Sequence, residues 1–335
     1  MTTVARADLR ELIVRALVAA NTSEENAGHV ADALVAAEAD GLKGHGLSRL
    51  GAYADQAASG KVDGQVEPAI VQTAAAALRV DARCGFAYPA IAAGLARACE
   101  LAPETGIVAV GVANSHHFGA AGYHVERVAN RGFVGLGFGN SPAGIAPWGG
   151  HISVFGTNPI AFATPREDAP PLVVDLSMSK VARGKVMVAA QQGAAIPDGW
   201  ALDPEDRPTT DAKAALAGTM LPMGDAKGAA LTLAVELLAA GLTASHFGFE
   251  ASSFFSAEGE PPRVGQFFLV IDPAAFAGDR AAFLARVEAL VAAVLEQDGT
   301  RLPGSRRLKN RAQADADGLD VDAALYADLK ARSGE

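Results

Sequence analysis

Cysteine is scarce in this chain: Cys84 and Cys99 are its only two among 335 residues, and no Cys-x-x-Cys pair occurs. A disulfide framework or a structural zinc site is therefore not expected, and a reducing, cytoplasmic setting is. Long apolar runs are missing as well. Half of the residues are hydrophobic, yet no stretch approaches the roughly 18 uninterrupted apolar residues of a membrane-spanning helix. The opening MTTVARADLR has no apolar signal core. Positive charge is short, with a formal net charge of −10 that disfavours nucleic acid as a partner. The histidines at 29, 45, 116, 117, 124, 151 and 246 are scattered without an HExxH motif or a carboxylate triad, so no catalytic metal is expected. There is no G-x-S-x-G nucleophile elbow. Gly135-Leu-Gly137-Phe-Gly139 lacks the third glycine of the dinucleotide fingerprint, which argues against a Rossmann site.

What the chain does have is a polar joint, Ala39-Asp-Gly-Leu-Lys-Gly-His-Gly-Leu-Ser-Arg49. It sets His45 four positions before Arg49, with Gly44 and Gly46 on either side. An imidazole titrates near neutral pH and can give or take a proton, while a guanidinium fork holds a carboxylate by two bonds. Together they suit a small anionic substrate whose neighbouring atom changes protonation. A glycine-made turn with a surface His45 and a solvated Arg49 accounts for the same residues, and spacing alone does not decide.

A chain of this length suits two domains better than one. Leu9, Leu12, Ile13, Leu17 and Val18 recur at helical spacing, and Thr22 with Glu25 reads as a capping box opening a second helix to about Asp40. A third helix runs through about Ser59 and ends at Gly60. Strands are expected at 77–81, 107–112, 133–138, 160–163, 172–175 and 266–271, among helices at 87–101, 120–130, 179–191 and 226–240. Phe276, Phe283, Val287, Leu290, Val291 and Val294 form an apolar stripe on one long helix over 273–297, and an acidic, Ala-rich helix closes the chain. The expected fold is α/β with a central sheet: residues 67–272 form the α/β domain, and residues 1–66, joined by about 273–335, form a helical one.

Three loops could carry chemistry. Asn114-Ser-His-His-Phe-Gly-Ala-Ala-Gly-Tyr123 leads from a buried strand into a helix, where free N–H groups and the helix dipole suit a phosphate; a capped tight turn fits equally well. The stretch 139–150, followed by Phe155-Gly-Thr-Asn-Pro159, is an irregular wall with hydrogen-bonding side chains on Thr157 and Asn158. Asp175-Leu-Ser-Met-Ser-Lys-Val-Ala-Arg-Gly-Lys185 again joins a strand to a helix; Ser177 and Ser179 can cap, and Lys180, Arg183 and Lys185 either meet anions or form a solvated basic face.

With these residues in view, the chain resembles the malate/L-lactate dehydrogenase-like oxidoreductases, a non-Rossmann family that includes Δ1-pyrroline-2-carboxylate and Δ1-piperideine-2-carboxylate reductases. The resemblance spans nearly the whole chain. It is carried by His45-Gly-x-x-Arg49, the segment Ser115 to Tyr123, Asn140-Ser-Pro, Phe155-Gly-Thr-Asn-Pro-Ile, Asp175 to Lys185, Ile196-Pro-Asp-Gly-Trp-Ala-Leu-Asp203, Pro208-Thr-Thr-Asp211, Gly224-Asp-Ala-Lys-Gly228 and Arg301-Leu-Pro-Gly304.

The resemblance implies a mixed central sheet, a homodimer, and NADPH as cofactor with NADH possible. It implies His45 as proton donor and Arg49 as carboxylate clamp, with Thr157, Arg183 and Gly184 on the substrate side. His117, Phe118, Gly119, Ala120, Ala121, Asp175, Leu176, Ser177, Asp225 and the loop Asp298, Gly299, Thr300, Arg301, Leu302, Pro303, Gly304 are implied cofactor contacts. The basic cluster Arg301, Arg306, Arg307, Lys309 and Arg311 would then face cofactor phosphate. The segment around His45 looks closest to the pyrroline-2-carboxylate reductases, so hydride transfer to C2 of a cyclic imino acid, giving L-proline or L-pipecolate, is the first reading. A 2-hydroxy-acid dehydrogenase of the malate, lactate or ureidoglycolate type is the alternative. Two positions depart from the family pattern. Gly44 stands where many members have Ser, so either that relay is dispensable or another group, with Asp198 the candidate, orients His45, and Lys185 falls at or near the position of a partner acid.

Overall fold

In the structure, a computed structural model that describes residues 1–335 apart from the Gln191 side chain, the chain opens with a short strand, β1 (Thr2–Val4). Two helices follow, α1 (Arg6–Ala19) and α2 (Glu24–Ala39). Ser23, not Thr22, caps α2: its hydroxyl accepts the N–H of Asn26 at 3.3 Å. The cap sits one residue late because Gly64 crowds Thr22, which is buried, and the Gly64 carbonyl takes the N–H of Ser23 at 3.0 Å. Two 3-10 turns, Lys43–His45 and Leu47–Arg49, lead into α3 (Leu50–Ser59), which Gly60 stops at φ +80°.

The central part contributes β2 (Ala69–Ala74), β3 (Ala77–Asp81), α4 (Ala87–Thr105), β4 (Ile107–Ser115), α5 (Ala121–Ala129), β5 (Val134–Gly139), β6 (Ile160–Thr164) and β7 (Leu172–Leu176). Next come α6 (Arg183–Gln192), β8 (Ala201–Leu202), α7 (Ala212–Ala217), β9 (Thr219–Met220), α8 (Asp225–Glu236) with a π turn at Leu237–Gly241, and β10 (Val264–Ile271). The chain closes with α9 (Ala274–Ala277), α10 (Arg280–Leu295), α11 (Ser305–Asp317), β11 (Leu319–Val321) and α12 (Ala323–Ser333).

Seven strands form one mixed sheet in the order β2-β3-β4-β10-β5-β6-β7. β3 and β4 run parallel and the other neighbours antiparallel. The late strand β10 is inserted at the centre, where Phe268 and Val270 are fully buried, which is why its sequence is almost continuously apolar. Gly135 and Gly137 serve packing: a Cβ on Gly135 would lie 3.2 Å from Val125 and Val128 of α5, and one on Gly137 would lie 2.8 Å from the Phe268 ring. One apolar cluster joins α1, α2 and α3 to residues of α11, β11 and α12. A second fills the space between the sheet and α4 and α5, and a third, smaller one lies under α6 and α7.

Three further expectations change. The helix placed from Ser179 starts at Arg183, because Ser177 and Ser179 hydrogen-bond to each other at 2.7 Å and Ser179 donates onward to the Val181 carbonyl at 2.7 Å instead of capping. The single helix over 273–297 breaks at Gly278, φ +89°, and restarts with Asp279 as its cap. Its apolar stripe does not enter the core: only Val291 is buried, and Leu290 is 67% exposed. No described helix is long and apolar enough to cross a membrane.

Four charges lock α2, α5 and α11 together. Arg307 bonds to Asp40 at 3.2 Å and to Glu126 at 2.8 Å; Arg311 bonds to Asp40 at 2.8 Å and to Glu126 at 2.9 Å. Burial alone would push the Glu126 carboxyl up, but the two guanidiniums hold it below the usual carboxylate range. Replacing Arg311 with Met strands two buried carboxylates on one remaining guanidinium. It is expected to cost about 3 kcal/mol, read as a lower urea midpoint at unchanged slope. An unchanged midpoint would show that the quartet contributes nothing to stability.

Candidate active site

The loop carrying His45 and Arg49 is moulded around one buried carboxylate. Glu38, in the last turn of α2, accepts the Leu47 N–H at 2.9 Å and pairs with the Lys43 ammonium at 2.5 Å. Lys43 in turn donates to the Asp320 carbonyl of β11 at 2.8 Å. The Glu38 carboxylate occupies the space where a side chain on Gly46 would begin, so position 46 accepts only glycine without displacing it. Gly41, at φ +76°, allows the chain to leave α2, and the Asn310 side chain packs over it.

On this loop His45 is half-buried, with its Nδ1 enclosed and without a hydrogen-bond partner among the described residues. Asp198, proposed from the sequence to orient the ring, is exposed and does not bond to it. The ring instead stacks on His117, with centroids 5.6 Å apart and planes 17° from parallel. His117 Nδ1 lies 2.5 Å from the Tyr53 hydroxyl, which is 3.1 Å from that of Tyr88. Nothing lies within 4 Å of where a Cβ on Gly44 would stand, so the missing serine is not excluded by crowding. Arg49 donates from Nε to the Gly44 carbonyl at 2.6 Å and lies 4.6 Å above the Phe255 ring; its Nη1 is enclosed without a partner among the described residues.

Burial, then the Arg49 charge, pushes the His45 pKa down to about 4. Burial does the same to His116, helped by Lys61 and Arg49, bringing it to about 3, and holds His117 well below its usual value. Burial also raises Tyr53 to about 12, so its hydroxyl stays protonated. The site is therefore a layer of neutral imidazoles beside one fixed guanidinium.

The other sequence-assigned residues gather by strand ends. Asp175 accepts the Gly122 N–H at 2.7 Å, bringing the end of β7 to the start of α5 beside His117, Phe118, Gly119, Ala120 and Ala121. The hydroxyl of Ser177 lies 3.4 Å from the Thr157 carbonyl, and the Ser141 hydroxyl accepts the Thr157 N–H at 3.1 Å. A Cβ on Gly304 would lie 3.5 Å from the Val173 carbonyl, which places the Arg301–Gly304 turn against β7. Arg183 reaches the Leu216 carbonyl at 3.2 Å and the flank of Gly144, while Gly184 and Asp225 are exposed. Asp298, Gly299 and Thr300 lie in the turn after α10; Thr300 bonds only to carbonyls of its own segment.

One expectation is overturned. Arg307 and Arg311 do not face a cofactor phosphate, because Asp40 and Glu126 take up both guanidiniums. Arg301, Arg306 and Lys309 remain exposed. Three contributors escaped the sequence reading: Glu38, Tyr53 and Glu236. Glu236 is buried and receives Asn140 at 2.9 Å, Asn158 at 2.5 Å and the Gly248 N–H at 2.7 Å, tying together the loops on either side of Thr157. The available signal was a lone acid in apolar surroundings, Val-Glu-Leu-Leu at 235–238. Among the described residues no group of three His, Cys, Asp or Glu is placed to hold a metal.

Comparison with known proteins finds relatives over nearly the whole chain. A family model described as malate/L-lactate dehydrogenase matches residues 4–330. The chain is 55% identical over 320 residues to a (2R)-3-sulfolactate dehydrogenase (NADP(+)) of Chromohalobacter salexigens, covering 96% of this chain and 95% of that one. It is 41% identical over 325 residues to a Delta(1)-pyrroline-2-carboxylate/Delta(1)-piperideine-2-carboxylate reductase of Pseudomonas aeruginosa, covering 97% of each. The crystal structure of delta1-piperideine-2-carboxylate reductase from Pseudomonas syringae matches with a TM-score of 0.94 at 39% identity, over 99% of this chain and 100% of that one.

The neutral imidazoles make stability depend on acid. Unfolded histidine takes a proton near pH 6.5, whereas His116 and His124 resist it until about 3 and about 4. Their contribution is complete above pH 6.5 and is lost as pH falls from there toward 4, at up to about 1.4 kcal/mol per pH unit for each ring. Urea midpoints measured from pH 7.5 to 5 are expected to fall, and to fall less steeply in His116→Gln. An equal slope in the variant would remove His116 from the acid response.

Proposed function

Because the chain belongs to the malate/L-lactate dehydrogenase family, we propose that it is an NADP(H)-dependent oxidoreductase interconverting a 2-hydroxy acid and its 2-oxo acid. The substrate class is an acid with a second anionic group, of the sulfolactate kind. The observation that carries the chemistry is the pairing, on one loop, of a neutral imidazole with a guanidinium whose Nη1 lacks a partner. The hydroxy acid is favoured over the cyclic imine by the relative at 55% identity, against 37–41% for the imine reductases. The imine reading expected first from the segment around His45 therefore moves to second place.

The residues present fit the cofactor. α11 begins after Gly304, φ +81°, with no side-chain cap, and the exposed Arg301 and Arg306 have no carboxylate partner among the described residues. A bare helix start flanked by guanidiniums suits a phosphate. The stretches His117–Ala121 and Asp175–Ser177, with Asp225 and the Asp298–Gly304 loop, would hold the rest. When bound, the nicotinamide supplies the hydride acceptor for oxidation and the donor for reduction.

The protein's own part is positioning and proton transfer. Arg49 takes the substrate carboxylate by two bonds and thereby fixes the C2 oxygen. His45, its Nδ1 enclosed, offers Nε2: in oxidation it removes the hydroxyl proton as hydride leaves C2, and in reduction it returns that proton. A carboxylate on Arg49 offsets the second cause of the low His45 pKa, so substrate binding makes the ring a stronger base. Thr157 and Arg183 line the substrate side, and the helical segments 1–66 and 273–335 form the domain that presents His45. The apolar cluster joining both ends of the chain supports that division.

The test is a substrate panel with both nicotinamide cofactors. Oxidation of sulfolactate-like hydroxy acids with NADP⁺ is expected to exceed reduction of the cyclic imines, and the reverse order would sink the hydroxy-acid reading. The acid limb of kcat/KM for oxidation is expected near the free-enzyme value of about 4, and that of kcat at higher pH. His45→Ala is expected to lower turnover by about 10²-fold or more.

We further propose a homodimer. Leu231, Leu233 and Leu237 on α8 and its π turn, with Leu242 just beyond, are exposed, an apolar run that a monomer leaves in water. Light scattering coupled to size exclusion is expected to give twice the chain mass, and a monomer for Leu237→Glu. A wild-type monomer would overturn the assignment.

A further inference from the structure

One cavity lies apart from His45 and Arg49. It holds about 220 Å³, lies between α4 and α5, and shares only Tyr88 with the site described above. His124 lies among its lining residues and is 2% exposed, with its ring stacked on those of Phe118 and Tyr88 at 5.6 Å and 5.9 Å. Its Nε2 donates to the Phe118 carbonyl at 2.8 Å. Burial pushes the ring's pKa down to about 4, so at neutral pH the one proton sits on Nε2 and Nδ1 is a bare acceptor. That nitrogen has no hydrogen-bond partner among the described residues. An occupant that donates a hydrogen bond to it gains about 0.5–1.5 kcal/mol.

The walls and mouth define what would satisfy it. Leu95 and Val128 give apolar sides. Arg127 and Arg131, both exposed, carry the positive charge; Arg127 lies one turn of α5 beyond His124, and Arg131 just past the end of that helix. At 1.5 Å of rise per residue Arg127 stands about 5 Å farther along the helix direction than the histidine. Arg127 gives one N–H to the Tyr123 hydroxyl at 3.2 Å, and neither arginine pairs with a carboxylate among the described residues. Two acids act on the neighbouring His29: Asp32, which is taken up by Arg10 at 2.6 Å, and, more weakly, Glu25.

An acceptor in the cavity, apolar sides and guanidiniums at its rim call for one kind of occupant. We propose that the cavity is a second, non-catalytic binding site for a small organic carboxylate whose apolar body bears a hydroxyl donor at the end opposite the acid. The carboxylate meets Arg127 and Arg131, the body lies against Leu95 and Val128, and the hydroxyl donates to His124 Nδ1. No bond forms or breaks.

Calorimetry on the full chain tests this without reference to turnover, with 4-hydroxybenzoate as the probe and benzoate and 4-hydroxybenzamide as controls. The probe is expected to bind about tenfold tighter than either control, each of which lacks one of the two polar contacts. It is expected to bind about tenfold or more weaker to the Arg127→Ala/Arg131→Ala double variant. Arg49→Ala, which removes the substrate clamp, is expected to keep the probe's affinity. Equal binding of probe and controls, no binding at millimolar concentration, or loss of binding in Arg49→Ala would each overturn the proposal. Because the readout is heat of binding, a wrong assignment of the reaction leaves it intact.

Discussion

The arrangement of the site depends on the Glu38 carboxylate. It is buried and taken up by one backbone N–H and one ammonium, and the loop after α2 folds over it in two tight turns. A carboxylate in a low-dielectric setting holds its donors firmly, because losing one exposes the full cost of a buried charge. The same turn of α2 ends in Asp40, which the two arginines of α11 fasten to Glu126 on α5. α5 starts beside His117, so the C-terminal end of α2 is joined to α5 by charge, and the loop just beyond that end sets the His45 ring on that of His117. The loop of His45 and Arg49 is thus held rigidly with few side chains of its own packed in the core.

Much of the fold was legible because it rests on local pattern. The strand runs at 107–112 and 266–271 read as strands because both are nearly continuous apolar sequence, and both are buried in the sheet. The order of the strands was not legible: inserting β10 between β4 and β5 is a choice made by long-range packing, and no local signal in its sequence records its neighbours. The stripe on α10 misled for a related reason, since spacing reports which residues share a face and not what covers that face.

The site divided in the same way. His45 and Arg49 stood out by type and spacing. Glu38 and Tyr53 did not, because each sits in a helix where an acid or an aromatic is unremarked, and their importance comes from what they touch. Arg307 and Arg311 were misread because a run of basic residues looks alike whether it faces solvent, phosphate or two buried acids. The electrostatics fit redox chemistry that moves a proton and a hydride separately. Imidazoles kept neutral by burial, beside a guanidinium of unvarying charge, give an environment whose charge changes with the ligand and not with modest changes in pH.

β1 and β11 pair Thr2–Val4 with Leu319–Val321, and Val4 shares an apolar cluster with Leu319, Val321 and Leu329. During synthesis, therefore, the first helices emerge with part of their apolar surface uncovered, and its cover is among the last segments made. At about 5–20 residues per second the interval is on the order of tens of seconds. Over that time the growing chain presents Leu9, Ile13 and Leu17 without all of their final neighbours, and it must rely on α2, α3 and the nearby Val62, Phe86 and Tyr88 to shield them. Closure of the strand pair also fastens the segment before α1 to the segment between α11 and α12.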